Sequence, residues 1–308
     1  MSLGAIPGTG PATNPMPVIR KVKVRTLADL PTDRTLVMGI LNVTEDSFSD
    51  GGKYAKTDDA IQHGLRMFYG GADIIDVGGE STRPGAAPVD PAQEAARIVP
   101  VIATLVKAGA VVSVDTMHTS TARAALDAGA HLVNDVSGLT HEADMPALIA
   151  ERGVPYVLMH RRGDATSMTT EADYADVLTE VKAELLALRE CFIAAGVKPE
   201  QLILDPGLGF AKEAGHNWEL LRGLQTFTEL GHRVLVGTSR KRFLGSLLRV
   251  DGKDAEPTAR DAATAATSAL AGAAGVWCVR VHDVGSNLDA VKTATAWTTA
   301  RKPVKAGA

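Results

Sequence analysis

The sequence predicts a single (β/α)8 TIM barrel, an α/β fold, with an N-terminal extension. Three observations predict it. Eight short β-branched or apolar runs recur along the chain, and most end in a polar residue suited to binding. Ala- and Leu-rich stretches with helical spacing separate most of them, and strand–helix alternation repeated eight times closes a parallel barrel. The 308 residues accommodate one barrel of about 250 residues plus tails.

The predicted strands are TLVMGILN (35–42), DIIDVGGE (73–80), VVSVDT (111–116), HLVND (131–135), PYVLMH (155–160), LILDPG (202–207), RVLVGTSRK (233–241) and VWCVRVH (276–282). Residues 1–17, rich in Pro and Gly with little to bury, read as a disordered tail. Residues 18–34 read as a capping segment, in which VIRKVKVR (18–25) alternates like a short strand with a solvated basic face. The catalytic barrel is expected over 35–299, with 300–308 as a C-terminal tail. The stretch 58–71 has helical spacing and stops at Gly70-Gly71. A helix over 119–130 opens with Thr119 as its cap, and 175–196 predicts a long helix ending at Gly196. The Ala-rich 258–275 holds Gly272, so it packs tightly either on its own barrel or on a second subunit. Three connections, 42–54, 78–90 and 160–174, are longer than a scaffold needs, which marks them as lids.

Hydrophobic residues make up 45% and charged residues 22%, the balance of a globular enzyme. The formal net charge of −4 supplies no basic field for nucleic acid. No apolar run approaches the roughly 20 residues of a membrane span, and the N-terminus lacks a secretory pattern, so a cytoplasmic protein is expected. Cys191 and Cys278 read as buried small hydrophobes rather than as a disulfide or metal pair. No Cys/His cluster has zinc spacing, His160 with Asp164 is a weak pair, and no tightly bound transition metal is expected.

Active sites of such barrels form at the C-terminal strand ends. Those ends carry Asn42, Glu80, Asp115, Asn134, His160, Asp205, Lys241, Arg280 and His282. Asp115, Asn134 and Asp205 suit a flat heterocycle with alternating donors and acceptors, and a carboxylate can take paired hydrogen bonds from an N–C–N edge. Arg280 and His282, two apart, face one side of their strand. With Asn42 they could hold a di- or triphosphate-like anion together with Mg2+, which prefers oxygen ligands. Arg240 and Arg242 read as solvent-exposed.

These residues fall within motifs of a known family. MGILNVTEDSFSDGG (38–52), DVGGESTRPGA (76–86), SVDT (113–116), NDVSG (134–138), LMH (158–160), DPGLGFAK (205–212), GTSRKRFLG (237–245) and RVHDV (280–284) stand in the family's order. The chain resembles the dihydropteroate synthases, folate-pathway enzymes inhibited by sulfonamides. The resemblance implies that 6-hydroxymethyl-7,8-dihydropterin pyrophosphate and p-aminobenzoate condense to 7,8-dihydropteroate and pyrophosphate. It implies pterin contacts from Asp115, Asn134, Met159, Asp205 and Lys241, and a pyrophosphate–Mg2+ site at Asn42, Arg280 and His282. Phe48, Ser81, Thr82, Arg83, Pro84 and Ser239 resemble residues around p-aminobenzoate. Asp115, Asn134, Asp205, Lys241 and Arg280 carry the catalytic expectation. Glu45 stands where the family usually has Pro. A homodimer through the Ala-rich helix is implied mainly by the resemblance. A pterin-binding methyltransferase domain would keep the Asp/Asn contacts but have little use for STRPG, SRK and RVH together. A non-catalytic pterin-binding paralogue would be expected to lose loop or anion residues that this chain keeps.

Overall fold

The computed structural model describes residues 25–44, 53–81, 87–164, 167 and 170–299. Eight parallel strands close into a barrel in chain order, with the last pairing back to the first. They are β1 Leu36–Asn42, β2 Ile74–Gly78, β3 Val111–Asp115, β4 Leu132–Asp135, β5 Tyr156–Met159, β6 Leu202–Asp205, β7 Arg233–Val236 and β8 Cys278–Val281. The helices are α1 Lys53–Tyr69, α2 Pro91–Lys107, α3 Thr119–Asp127, α4 Met145–Arg152, α5 Val177–Ala194, α6 Ala214–Arg222, α7 Gln225–Thr228, α8 Arg242–Leu247, α9 Asp261–Ala273 and α10 Val284–Thr299. All eight expected strands form.

Side-chain alternation sorts each strand into two environments. Outward residues such as Val37, Ile75, Val112 and Val133 join the helices in the main core. Inward residues at the strand beginnings, among them Leu36, Ile74, Val111, Leu132, Leu235 and Cys278, form a separate apolar layer inside the barrel. A 3-10 turn at Leu27–Asp29 brings Leu30, 8% exposed, against that layer. Nearby, Arg34 donates to both carboxylate oxygens of Asp73 at 2.7 and 2.8 Å, and Asp73 also accepts from the Val37 amide at 2.8 Å. The N-terminal mouth is thereby plugged. Apart from Arg25, the strand expected over 18–25 lies outside the described residues, as do 1–17 and 300–308.

The helix signals hold with one shift. Asp90 caps α2, accepting from the amides of Ala92 and Gln93, with Pro91 as first residue. At α3 the cap residue is His118 rather than Thr119, and its side chain makes no capping bond. Glu142 accepts from the Thr119 amide at 2.7 Å instead, freeing His118 to point elsewhere. In α9, a Cβ at Gly272 would lie 3.3 Å from that of Ala294 on α10, so Gly272 serves close packing within the chain. The opposite face exposes Ala262, Ala266, Leu270 and Ala273. No described helix is long and apolar enough to cross a membrane.

Candidate active site

One step above the apolar layer the inward positions turn polar: Asp76 on β2, Ser113 on β3, Asn134 on β4, Asp205 on β6 and Arg280 on β8. Arg280 donates from Nε to Asp76 at 2.6 Å and from Nη2 to Asp115 at 2.5 Å. Asn134 donates to the same Asp76 oxygen at 2.9 Å. A side chain on β8 reaches β2 and β3 only across the barrel interior, so these bonds place the cluster inside. The Asn134 amide oxygen remains for a donor on a ligand. Asp76 is wholly buried and its second oxygen has no partner.

The electrostatics are close to balance. Burial, reinforced by Asp76, pushes the Asp115 carboxyl up to about 7 against the pull of Arg280. Burial opposes charge on Arg280, but Asp76 and Asp115 outweigh it and keep the guanidinium charged. Opposite them, burial raises Asp205, with Lys241 opposing. Burial also lowers the Lys241 amine to about 8, with Asp205 opposing.

The Asp205 wall is shaped by glycine. Asp205 Oδ1 accepts from the Gly207 amide at 2.7 Å, while Oδ2 makes no hydrogen bond among the described residues. Gly207 has φ +68°, and a Cβ there would sit 1.8 Å from the His160 carbonyl oxygen, which excludes any side chain. Met159, 2% exposed, is the inward residue of β5 nearest this turn. Lys241 donates to the Leu208 carbonyl and lies 4.7 Å from the Phe210 ring centroid. Gly237 leaves a notch between two cations, since a Cβ there would meet Arg280 Cβ at 3.8 Å and Lys241 Nζ at 3.9 Å.

At the rim, Ser239 and His282 bind each other, at 2.9 Å between Ser239 Oγ and His282 Nδ1 and at 3.1 Å from the His282 amide to Oγ. Ser239 therefore stands with the residues expected to hold an anion. Asn42 ends β1, half-buried, and its side-chain amide makes no hydrogen bond among the described residues. Ser81 is half-buried at the start of its loop. Phe48, Thr82, Arg83 and Pro84 lie outside the described residues, as do Glu45 and Gly51-Gly52.

Two strand-end residues leave the cavity. His160 has the outward parity of Leu158, and its ring is held under α5 between Glu184 and Lys212, both at 2.9 Å. Burial, with Lys212 beside it, holds His160 at about 4, and burial brings the Lys212 amine to about 7. Glu80 turns towards His118, 3.4 Å away. Arg240 is not solvated as expected: it makes a two-pronged pair with Asp261, both bonds at 2.8 Å. Arg242 is exposed. Neither Asp76 nor Lys212 ends a strand, so the strand-end rule misses both. Two-residue parity on β2 was the signal for Asp76, whereas Lys212 comes from a loop with no periodic signal.

Residues 38–282 match the family model described as pterin binding enzyme. A dihydropteroate synthase of Mycobacterium leprae is 53% identical over 263 residues, covering 85% of this chain and 93% of the relative. A Yersinia pestis dihydropteroate synthase solved as a sulfonamide drug complex is similar with TM-score 0.80 and 39% identity, covering 87% of this chain and 96% of that one. A Xanthomonas albilineans dihydropteroate synthase solved with 4-aminobenzoic acid is similar with TM-score 0.80 and 40% identity, covering 88% and 96%.

Proposed function

Because the chain belongs to the pterin binding enzyme family, and within it to the dihydropteroate synthases, we propose that its polar interior layer seats a dihydropterin and its rim receives the diphosphate. The reaction joins 6-hydroxymethyl-7,8-dihydropterin pyrophosphate to p-aminobenzoate, giving 7,8-dihydropteroate and pyrophosphate. The free Oδ2 of Asp205 accepts from the amino-pyrimidine edge, and the Asn134 amide oxygen accepts from a second edge. Met159 supplies an apolar wall. Lys241 flanks the ring beside Asp205.

The electron-rich dihydropterin expels pyrophosphate and leaves a delocalised cation at the exocyclic methylene. Asp115 and Asp205 stabilise positive charge over the ring, and Arg280, Ser239 and His282 meet the charge gathering on the departing oxygens. The arylamine is neutral at pH 7 and attacks without a strong base. The loops holding Phe48 and Ser81, Thr82, Arg83 and Pro84 exclude water and position p-aminobenzoate. Sulfonamides compete there.

The Asn42 amide oxygen, uncommitted beside the β8 rim, fits Mg2+, a hard cation that takes a few oxygen ligands and keeps its waters. Asn42 would be its protein ligand, and when bound it would supply neutralisation of leaving-group charge. We also propose a cytoplasmic homodimer. Leu270, 72% exposed on α9 on the same face as Ala262, Ala266 and Ala273, and Trp297, 84% exposed on α10, the helix packed against α9, support that reading. Leu270→Asp is expected to shift sedimentation from dimer to monomer.

The observation that carries the function is the Asp76–Arg280–Asp115 cluster with Asn134 and Asp205, set below Ser239 and His282. The test is pyrophosphate release from the dihydropterin substrate with Mg2+, with and without p-aminobenzoate. Release that depends on p-aminobenzoate and yields dihydropteroate is expected. Tight pterin binding without turnover would overturn the catalytic reading.

A further inference from the structure

A second polar cluster lies behind the pterin wall, where the loop after β2 meets the loop after β3. Glu94, in the first turn of α2, is wholly buried. Its Oε2 accepts from the Thr116 hydroxyl at 2.8 Å, next to Asp115, while its Oε1 has no hydrogen-bond partner. Glu80 Oε2 and His118 Nε2 are likewise buried without hydrogen-bond partners, and lie 3.4 Å apart. One donor atom from each of Glu80, Glu94 and His118 falls within 4.8 Å of the others. A Cβ at Gly79 would lie 2.9 Å from Glu94 Cγ, so the glycine is what lets this carboxylate in.

We propose that Glu80, Glu94 and His118 bind a first-row divalent transition-metal ion, with Zn2+ as the type. Three arguments converge. The first is charge: the buried Glu94 and the half-buried Glu80 face one imidazole, and among the described residues neither carboxylate has a lysine or arginine within ion-pair distance. A dication with a neutral imidazole balances Glu80 and Glu94. The second is orientation. His118 Nδ1 lies 2.9 Å from Glu142 Oε1, which holds the Nδ1–H tautomer and aims the Nε2 lone pair inward. A carboxylate behind the imidazole is the usual support of a histidine ligand. The third is spacing. Ligands about 2.0–2.1 Å from a tetrahedral ion stand about 3.4 Å apart; the Glu80–His118 pair already has this separation, and Glu94, within 4.8 Å of both, needs only a side-chain adjustment to close on the ion. Three protein ligands leave a fourth position for water, and a set with one nitrogen favours zinc over magnesium. The spacing 80, 94, 118 matches no zinc sequence pattern, because the ligands come from a loop, a helix and a helix cap. Bound there, the ion would tie Glu80, just past the end of β2, to α2 and to the start of α3. This site is independent of the Mg2+ assignment.

The test is calorimetry of the EDTA-treated full chain with ZnCl2 at pH 7.5. One Zn2+ per chain with micromolar or tighter affinity is expected. Glu94→Gln and His118→Ala should each weaken it at least tenfold, and Glu142→Gln by about tenfold to a hundredfold. His118→Cys, which offers a thiolate, should regain binding that a merely structural histidine would not restore, with circular dichroism reporting that each variant folds. The proposal is overturned by no saturable binding, by binding indifferent to all three ligand changes, or by NMR showing His118 still doubly protonated with stoichiometric Zn2+. The last result would make the cluster an imidazolium ion pair.

Discussion

The barrel interior has two storeys of similar geometry and opposite character. The lower one, with Leu132, Val157, Ile203 and Leu235, is apolar and nearly inaccessible to solvent. The upper one, two residues further along the same strands, holds Asn134, Met159, Asp205 and Gly237. Moving up by one inward position exchanges an apolar side chain for an amide on β4 and for a carboxylate on β6. The lower storey can be understood from packing alone. In the upper one each buried charge depends on another, as Arg280 does on Asp76 and Asp115. Polar groups held before any ligand arrives are the arrangement that electrostatic catalysis requires.

The strongest way to break this contrast is Arg280→Met. It strands Asp76 and Asp115 together in a buried space. A fall in kcat/KM of about a hundredfold to a thousandfold is expected, with a stability loss of about 3–5 kcal/mol by denaturant titration. Stability should partly recover towards pH 5, where the raised Asp115 takes up a proton. Leu132→Ala should break the lower storey instead. It should cost about 2–5 kcal/mol while leaving KM and kcat of the folded fraction near wild type, and a large KM change would mean that the storeys are coupled. Asp205→Asn replaces a charged acceptor pair with one donor and one acceptor. It should weaken pterin binding by about 1.5–3 kcal/mol in calorimetry, and unchanged affinity would remove Asp205 from the pterin edge.

The smallest effect expected is in the pH profile. Asp115, raised to about 7, is charged above that value, and Lys241, lowered to about 8, is charged below it. The profile of kcat/KM should therefore rise through about 7 and fall above about 8. Lys241→Arg should push the alkaline limb upward, because a guanidinium keeps its proton. An unmoved limb would assign it to another group.

Strand positions were legible because the period-2 alternation and the helical stretches are local. So were Asp115, Asn134, Asp205 and Arg280, which end or nearly end their strands on the inward parity. His160 shows how a strand-end rule fails: it ends its run, but one residue out of phase, and serves the α5 side. Asp76 shows the converse, being deeper in its strand yet in phase. Glu80, Glu94 and His118 were illegible as a group, since only closure of the barrel brings residues so spaced together. The Glu142 bond to the Thr119 amide, which makes His118 the α3 cap, is likewise tertiary.

Leu30 and the apolar storey it plugs also bear on kinetics. A vessel closed at the bottom has one doorway. On the proposed reading, a ring resting on Asp205 and Asn134 carries its own diphosphate at the Ser239–His282 rim, so the substrate enters ring first. The product, rooted at the same depth, would then wait for the pyrophosphate above it to leave. On that reading, release of pyrophosphate before dihydropteroate follows from a floor that contains no catalytic group.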